Sequence, residues 1–197
     1  MRRVGVLALQ GDVREHVGVL ERLNVRAERV RRPNQLAGLD GLVIPGGEST
    51  TIAYLLTTSG LREPLARALE EGLSTFGTCA GLIMLSTSVS DGRADQWSYG
   101  ALDVAVRRNG YGRQVASFEA PVAVRGVGDV PGVFIRAPRI EEVGADVDVV
   151  ATYDHGDGEH PVLVRQGPVW GCSFHPELTP VDRVHQLFLD SMSEALR

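Results

Sequence analysis

Residues 73–85 contain the pattern that most limits how this chain can fold, a Gly-Thr-Cys-Ala-Gly centre at Cys79 between strand-like and helix-like apolar runs. A strand that ends and a helix that begins within a residue or two must bend sharply, so the residue at the bend takes strained backbone angles beside small neighbours. Gly77 and Gly81 meet that need. The stretch predicts a nucleophile elbow, with Cys79 as the nucleophile and the Ala80 N–H as an oxyanion donor. The alternative is a buried Cys79 that fills core volume.

The pattern before the elbow indicates alternating strands and helices. Residues 3–9 and 40–44 are short apolar runs, typical of strands that are buried on both faces of a sheet. Between them we expect a helix capped by Asp12 and a more exposed strand at residues 25–30. This order is typical of a doubly wound parallel sheet.

The half of the chain after the elbow is mostly β in pattern. Residues 86–99 are polar and contain glycine, so we expect a loop there. Short runs of alternating apolar residues follow at 102–107, 121–125, 132–135, 147–153 and 161–165, and an amphipathic helix ends the chain. We predict a three-layer α/β fold whose mostly parallel central sheet is flanked by helices, with additional antiparallel strands in the second half. Because no linker or repeat interrupts the chain, residues 1–197 should form a single domain.

Composition excludes several classes of protein. Hydrophobic residues at 43% and charged residues at 23% are globular values, and no apolar run is long enough to cross a membrane. The formal net charge of −5 and the isoelectric point near 5.5 count against a nucleic-acid partner, because phosphate recognition requires a basic face. The two cysteines, Cys79 and Cys172, are expected to be separate thiols in a cytoplasmic protein.

A second functional candidate is the loop at residues 45–51, Pro-Gly-Gly-Glu-Ser-Thr-Thr. Two glycines at the carboxyl end of a strand, followed by hydroxyl residues that can cap a helix, leave backbone N–H groups free to bind an anion or an oxyanion. The loop lacks the Gly-Lys-Ser/Thr ending of a nucleotide P-loop. An ordinary turn with a hydroxyl cap is the alternative.

A third candidate is the His175-Pro-Glu177 sequence, which follows a short apolar run. In an extended strand residues two apart share a face, so the Glu177 carboxylate can fix the tautomer of His175 and stabilise its protonated form. Together with the elbow cysteine, this pair completes a nucleophile, a base and an orienting acid. Taken alone, the pair could instead be surface decoration.

Two basic clusters lie among the predicted strands, at residues 107–113 and 134–138. They contain Arg108 and Arg136, and the planar guanidinium group suits recognition of a carboxylate through two parallel hydrogen bonds. A solvated surface charge is the alternative for each arginine.

Taken together, the three candidate stretches resemble the class I glutamine amidotransferases. A closer resemblance, to the family of glutaminase subunits of pyridoxal 5'-phosphate synthases, spans the chain from its first strand to its last helix. It rests on Leu7-Ala-Leu-Gln-Gly11, Pro45-Gly-Gly-Glu-Ser-Thr50, Arg108-Asn-Gly-Tyr-Gly-Arg-Gln114, Ser117-Phe-Glu119, Phe134-Ile-Arg-Ala-Pro138 and Ser173-Phe-His-Pro-Glu-Leu178.

The resemblance implies a role for each matching residue. It makes Cys79 the nucleophile, His175 the base and acid, and Glu177 the residue that orients His175. The residues implied to bind L-glutamine are Gly47, Glu48, Ser49, Arg108, Ile135 and Arg136, and the implied oxyanion donors are the N–H groups of Gly47 and Ala80. The resemblance implies that the hydrolysis of L-glutamine to L-glutamate and ammonia needs no metal and no cofactor.

The resemblance also implies a partner. In this family ammonia passes to a separate synthase subunit, in a hetero-oligomeric complex that builds pyridoxal 5'-phosphate. Two alternatives remain at this point, a glutaminase that serves a different synthase and a catalytically inactive binding subunit. The Arg108-to-Gln114 stretch counts against the first alternative, and an intact Cys79, His175 and Glu177 count against the second.

Overall fold

The computed structural model describes residues 1–92, 96–110 and 117–194. Its helices are α1 (Val13–Arg22), α2 (Ser49–Thr58), α3 (Arg62–Glu70), α4 (Ala80–Leu85) and α5 (Arg183–Glu194). Its strands are β1 (Arg3–Leu7), β2 (Arg26–Val30), β3 (Gly41–Ile44), β4 (Ser74–Thr78), β5 (Ser86–Ser90), β6 (Leu102–Arg107), β7 (Ser117–Val124), β8 (Gly128–Ile135), β9 (Arg139–Val143), β10 (Asp148–Asp154), β11 (Glu159–Gln166) and β12 (Val169–Cys172). Short 3₁₀ turns cover Pro33–Gln35 and Pro176–Leu178.

A central sheet joins both halves of the chain. Within the described ranges nine strands form it, in the order β2-β1-β3-β4-β12-β11-β10-β7-β8. The strands from β2 to β12 in this order pair in parallel, and the pairs from β12 to β8 are antiparallel. The structure therefore confirms the predicted α/β fold, with parallel strands from the first half of the chain and added antiparallel strands in the second.

Helices cover both faces of the parallel strands because successive side chains point to opposite faces. Val43 in β3 packs with α1 and α5 in one hydrophobic cluster, whereas its neighbours Leu42 and Ile44 pack with α2, α3 and α4 in the other. Buried strands with apolar residues on both faces are typical of a parallel sheet between two helical layers. None of the described helices is long and apolar enough to span a membrane.

A second, smaller sheet corrects one sequence prediction. The sequence predicts a loop over residues 86–99, but Ser86–Ser90 is strand β5, which pairs in parallel with β6. In the described part of the chain, β5, β6 and β9 form this three-stranded sheet. The β5 sequence is Ser-Thr-Ser-Val-Ser, and three of its residues are exposed. It therefore lacks the apolar alternation that would predict a strand from the sequence.

The elbow between β4 and α4 depends on close contact between backbones. A Cβ atom placed on Gly81 would lie 2.0 Å from the carbonyl oxygen of Ile44, at the end of β3. A Cβ atom on Gly77 would lie 2.5 Å from the carbonyl carbon of Gly81. Both glycines are required because neither backbone neighbour can move aside as a flexible side chain could.

We expect Gly81→Ala to lower the free energy of unfolding by roughly 1–3 kcal/mol, because its new methyl group overlaps backbone atoms. Gly18→Ala in α1 is the matched control, since its Cβ atom would approach the Arg22 side chain no closer than 3.6 Å. Removing a helical glycine there should stabilise the protein by up to about 1 kcal/mol. Urea denaturation measures both, and equal effects would contradict the close-packing argument.

Candidate active site

Cys79 occupies the strained position of the elbow, between the last residue of β4 and the first of α4. Its backbone has φ 49° and ψ −104°, a conformation that a non-glycine residue rarely adopts. The Cys79 N–H donates to the carbonyl of Cys172 at 2.8 Å, which ties the turn to β12. The Cys79 thiol is largely buried, and its sulfur lies 3.9 Å from the carbonyl oxygen of Ile135. The strain predicted for this residue is confirmed.

His175 and Glu177 lie just beyond β12, the parallel neighbour of β4. The His175 N–H donates to the Val133 carbonyl at 2.8 Å, and this bond anchors the residue to β8. The His175 Nδ1 atom lies 2.8 Å from the Glu177 Oε1 atom. Because a carboxylate only accepts, Nδ1 carries the proton and donates it, which leaves Nε2 for the thiol side. Both side chains are almost completely buried.

Asp12 adds a second carboxylate to this histidine. The sequence predicts that Asp12 caps α1, and it does precede the helix, but its side chain makes no capping hydrogen bond. The Asp12 Oδ2 atom instead lies 3.3 Å from the His175 Nδ1 atom. Asp12, His175 and Glu177 place potential metal-ligand atoms within 4.8 Å of one another. Both carboxylates already contact the protonated Nδ1 atom of His175, so we assign no metal to this group.

The surroundings of His175 favour its protonated form. Burial alone would lower the pKa of His175, but hydrogen bonds with Asp12, Cys79 and Glu177 and the charge of Glu177 outweigh it and raise that pKa well above its ordinary value. For Glu177, too, the neighbouring groups outweigh burial, and they favour the ionised carboxylate. Burial alone would raise its pKa, but the hydrogen bonds from His16 and His175 and the charge of His175 keep that pKa below the usual range. The pair is therefore an imidazolium beside a carboxylate.

A cavity of about 300 Å³ lies in front of Cys79 and His175. Every residue that the sequence assigned to glutamine binding lines it, namely Gly47, Glu48, Ser49, Arg108, Ile135 and Arg136. Gln10, Asp12, Ile83 and Asn109 complete the lining. The structure thus brings together residues from six separate stretches of sequence. Residues 111–113, at the end of the first basic cluster, and Gln114 lie outside the described residues.

Charges of both signs face this cavity. The Arg108 Nη2 atom donates to the Glu48 Oε1 atom at 2.6 Å, and the Thr51 N–H donates to the other carboxylate oxygen at 3.1 Å. Arg136 is exposed, has the positive φ of 42°, and forms no ion pair with any described residue. The Ser49 hydroxyl is buried without a hydrogen-bond partner among the described residues. The cavity can therefore hold a small molecule that carries both an ammonium and a carboxylate group.

The loop beside Cys79 provides backbone N–H groups. The Gly46 N–H donates to the Thr78 hydroxyl at 3.1 Å, so it is already engaged. The Gly47 N–H has no acceptor within the described part of the chain, and Gly47 has φ 149°, in the region that favours glycine. Ala80 provides the first N–H of α4. Gly47 follows the end of β3 and Ala80 follows the end of β4, and these two strands are parallel neighbours.

Sequence reasoning missed Gln10 and Asp12, both in the loop after β1. The Gln10 Oε1 atom accepts the Glu48 N–H at 2.8 Å, and the Gln10 side chain packs against Gly47. A signal was available, because the carboxyl ends of parallel strands meet at one edge of a sheet, where binding residues collect. Polar residues directly after β1 were candidates on that ground.

The sequence matches the SNO glutamine amidotransferase family over residues 6–194. Two similar relatives carry the name pyridoxal 5'-phosphate synthase subunit PdxT. The protein of Streptomyces avermitilis is 54% identical over 95% of this chain and 92% of its own length. The protein of a Nocardioides species is 52% identical, over 97% of this chain and 96% of its own length.

Solved structures agree with the described fold. A crystal structure of a glutamine amidotransferase has a TM-score of 0.89 and 49% identity, covering 96% of this chain and 98% of the other. The structure of PurLQS from Thermotoga maritima has a TM-score of 0.68 and 16% identity, covering 100% of this chain and 99% of the matched one. At that identity the second likeness shows the fold alone.

We expect His175 to stay protonated through about pH 8, above the ordinary histidine pKa of about 6.5. Glu177→Gln should lower the pKa of His175, because the neutral amide no longer stabilises the imidazolium. Histidine-selective NMR titration measures this, with His155, whose pKa burial lowers to about 4, as the internal control that stays neutral.

The same shift gives a sign for stability. Because the pKa of His175 is higher in the folded than in the unfolded chain, its contribution to the free energy of unfolding is complete below about pH 6.5 and is lost as the pH rises through the folded-state pKa. A His175 that titrates near its ordinary pKa in both the parent chain and the Glu177→Gln variant would contradict this assignment.

Proposed function

Because the chain belongs to the SNO glutamine amidotransferase family, we propose that it is the glutaminase subunit of a pyridoxal 5'-phosphate synthase. It hydrolyses L-glutamine to L-glutamate and ammonia, and the ammonia goes to a synthase subunit in a hetero-oligomeric complex. The names of relatives that share about their whole length with this chain favour this partner over a different synthase. The cytoplasmic location expected from the sequence stays a prediction.

One observation carries the proposed chemistry. A strained Cys79 shares a cavity with His175, whose Nδ1 atom donates to Glu177 at 2.8 Å. This order of nucleophile, imidazole and buried carboxylate is the arrangement that activates a nucleophile and then returns its proton to a leaving group. An inactive binding subunit would have no need of a strained cysteine beside a charged histidine.

The reaction then follows from these groups. The Cys79 sulfur attacks the side-chain amide carbon of glutamine, and the resulting oxyanion accepts hydrogen bonds from the Gly47 and Ala80 N–H groups. The C–N bond breaks as His175 protonates the leaving ammonia. A water molecule that loses its proton to His175 hydrolyses the thioester, which releases glutamate and restores the Cys79 thiolate beside the protonated His175. Glu177 orients His175 and stabilises its protonated form throughout.

The charged residues of the cavity divide the recognition of the α-ammonium and α-carboxylate groups of glutamine between them. Glu48 binds the α-ammonium group. Burial alone would raise the pKa of Glu48, but hydrogen bonds from Thr50 and Thr51 and the charge of Arg108 lower it, so the carboxylate stays ionised. Arg136, which has no ion-pair partner among the described residues, binds the α-carboxylate together with Arg108. Ser49 and Ile135 complete the contacts.

We also propose that residues 1–197 act as one amidotransferase domain. The family match covers residues 6–194, and strands from both halves of the chain pair in the same central sheet. Cys79 comes from the first half, whereas His175 and Arg136 come from the second. Neither half could form the proposed site without the other.

We expect Cys79→Ala to abolish glutamate formation, because the variant has no nucleophile, while the complex with the synthase still makes pyridoxal 5'-phosphate from an ammonium salt. Glutamate and product formation are measured with saturating synthase. Cys172→Ala is the matched control, since this buried thiol points toward the Phe174 carbonyl, and it should remain active. Glutamate formation by Cys79→Ala at the parent rate would contradict the triad, and product formed from glutamine but not from ammonium would contradict the ammonia-donor role.

Arg108→Ala and Arg136→Ala should raise the KM for glutamine by about ten- to a hundredfold, since each removes a charge-assisted hydrogen bond. Steady-state kinetics with the synthase measure this. Arg107→Ala is the matched control, because the Arg107 side chain pairs with Glu141 at 2.8 Å and does not line the cavity. An unchanged KM in both test variants would remove these arginines from the substrate site.

A further inference from the structure

His16 in α1 is a fully buried histidine that the proposed mechanism does not use. Its Nε2 atom lies 3.4 Å from the Glu177 Oε1 atom, the oxygen that also accepts from His175. The same Nε2 atom lies 3.1 Å from the Thr78 hydroxyl. Its Nδ1 atom lies 2.9 Å from the Nε2 atom of His185, in α5. His16 therefore contacts the carboxylate of the proposed triad from the core side.

The contacts decide which nitrogen of His16 carries the proton. Glu177 can only accept, so a bare Nε2 atom facing it would place two lone pairs against each other. With the proton on Nε2, His16 donates toward Glu177, and its bare Nδ1 atom accepts from the Nε2–H of His185. Burial lowers the pKa of His185 to about 3, so His185 is neutral and has one ring proton to give. Its Nδ1 atom then needs no donor, and none of the described residues provides one.

Thr78 extends this network to the loop beside the nucleophile. Thr78 is the last residue of β4 and immediately precedes Cys79. Its hydroxyl oxygen accepts the Gly46 N–H at 3.1 Å. Gly46 packs tightly on the catalytic histidine, since a Cβ atom there would lie 2.3 Å from the His175 Cε1 atom. The His16 ring thus contacts both Glu177 and Thr78, and Thr78 in turn holds the glycine loop through Gly46.

We propose that His16 is a positioning residue for this glutaminase, whose Nε2–H holds the Glu177 carboxylate toward His175 and, through Thr78, holds the Gly46-Gly47 loop against Cys79. This role rests on the proposed triad. His16 does not line the cavity and does not touch substrate. A buried carboxylate needs donors to remain ionised, and the Glu177 Oε2 atom has none among the described residues. His16 and His175 together supply the donors of Oε1.

Two amide variants separate this role from simple packing. His16→Gln can place an amide N–H near the position of the ring Nε2, whereas His16→Asn reaches only the position of Nδ1. Both side chains end in an uncharged amide, so both variants bury a similar polar group in the core. With saturating synthase we expect His16→Asn to lower kcat by about tenfold or more, as loss of a supporting hydrogen bond does in other sites, with KM for glutamine changed by less than about twofold. His16→Gln should keep kcat within about threefold of the parent.

A spectroscopic measurement decides the matter if His16→Asn fails to fold. Histidine-selective NMR of the parent chain should show His16 as the Nε2–H tautomer, and Glu177→Gln should shift its ring-proton signal. An Nδ1–H tautomer would overturn the proposal. So would a folded His16→Asn with parent kcat, or a His16→Gln that loses as much as His16→Asn.

Cys79→Ala, assayed beside these variants, separates the two levels of inference. If Cys79→Ala is inactive while His16→Asn is folded and fully active, the triad stands and the role of His16 falls. If Cys79→Ala keeps its glutaminase activity, the proposed function itself falls.

Discussion

The sharp turn at Cys79 is the constraint on which the rest of the structure depends. The turn exists because Gly81 lies against the backbone of Ile44, an approach that a single methyl group would block. That contact requires β3 and β4 to be parallel neighbours, which they are. Parallel pairing then brings the ends of β1, β3, β4 and β12 to one edge of the sheet. The parallel pairing that allows the sharp turn at Cys79 therefore also brings the loop glycines and His175 to the cysteine.

The buried carboxylate of Glu177 is the second organising element. Taking a carboxylate out of water costs free energy unless donors surround it, and an unpaired buried charge is strongly destabilising. Here the donors are two histidines from opposite ends of the chain, His16 in α1 and His175 after β12. His185 then satisfies His16 from α5. The polar groups of the site and those of the core therefore form one network, in which each member is stable because the others are present.

The strands were predictable where apolar residues alternate or run together. β6 begins and ends at the predicted residues, 102–107, and β3 lies within the predicted run at residues 40–44. The prediction failed at β5, whose sequence Ser-Thr-Ser-Val-Ser has one apolar residue. This segment becomes a strand because β6, whose other side pairs with β9, offers it backbone hydrogen bonds at the edge of the smaller sheet. Pairing of that kind leaves little trace in side-chain composition.

The sequence by itself determined the local chemistry of this protein. The glycines around Cys79, the spacing of His175 and Glu177 and the paired glycines at 46–47 each specify a backbone geometry within a few residues, and such geometry is encoded locally. The tertiary structure alone decided which other side chains complete the site. Asp12 looks like a helix cap until the fold brings His175 beside it, and His16 meets His185 across 169 positions of sequence. A hydrogen bond between distant residues depends on where the whole sheet places its helices, and no short stretch of sequence contains that information.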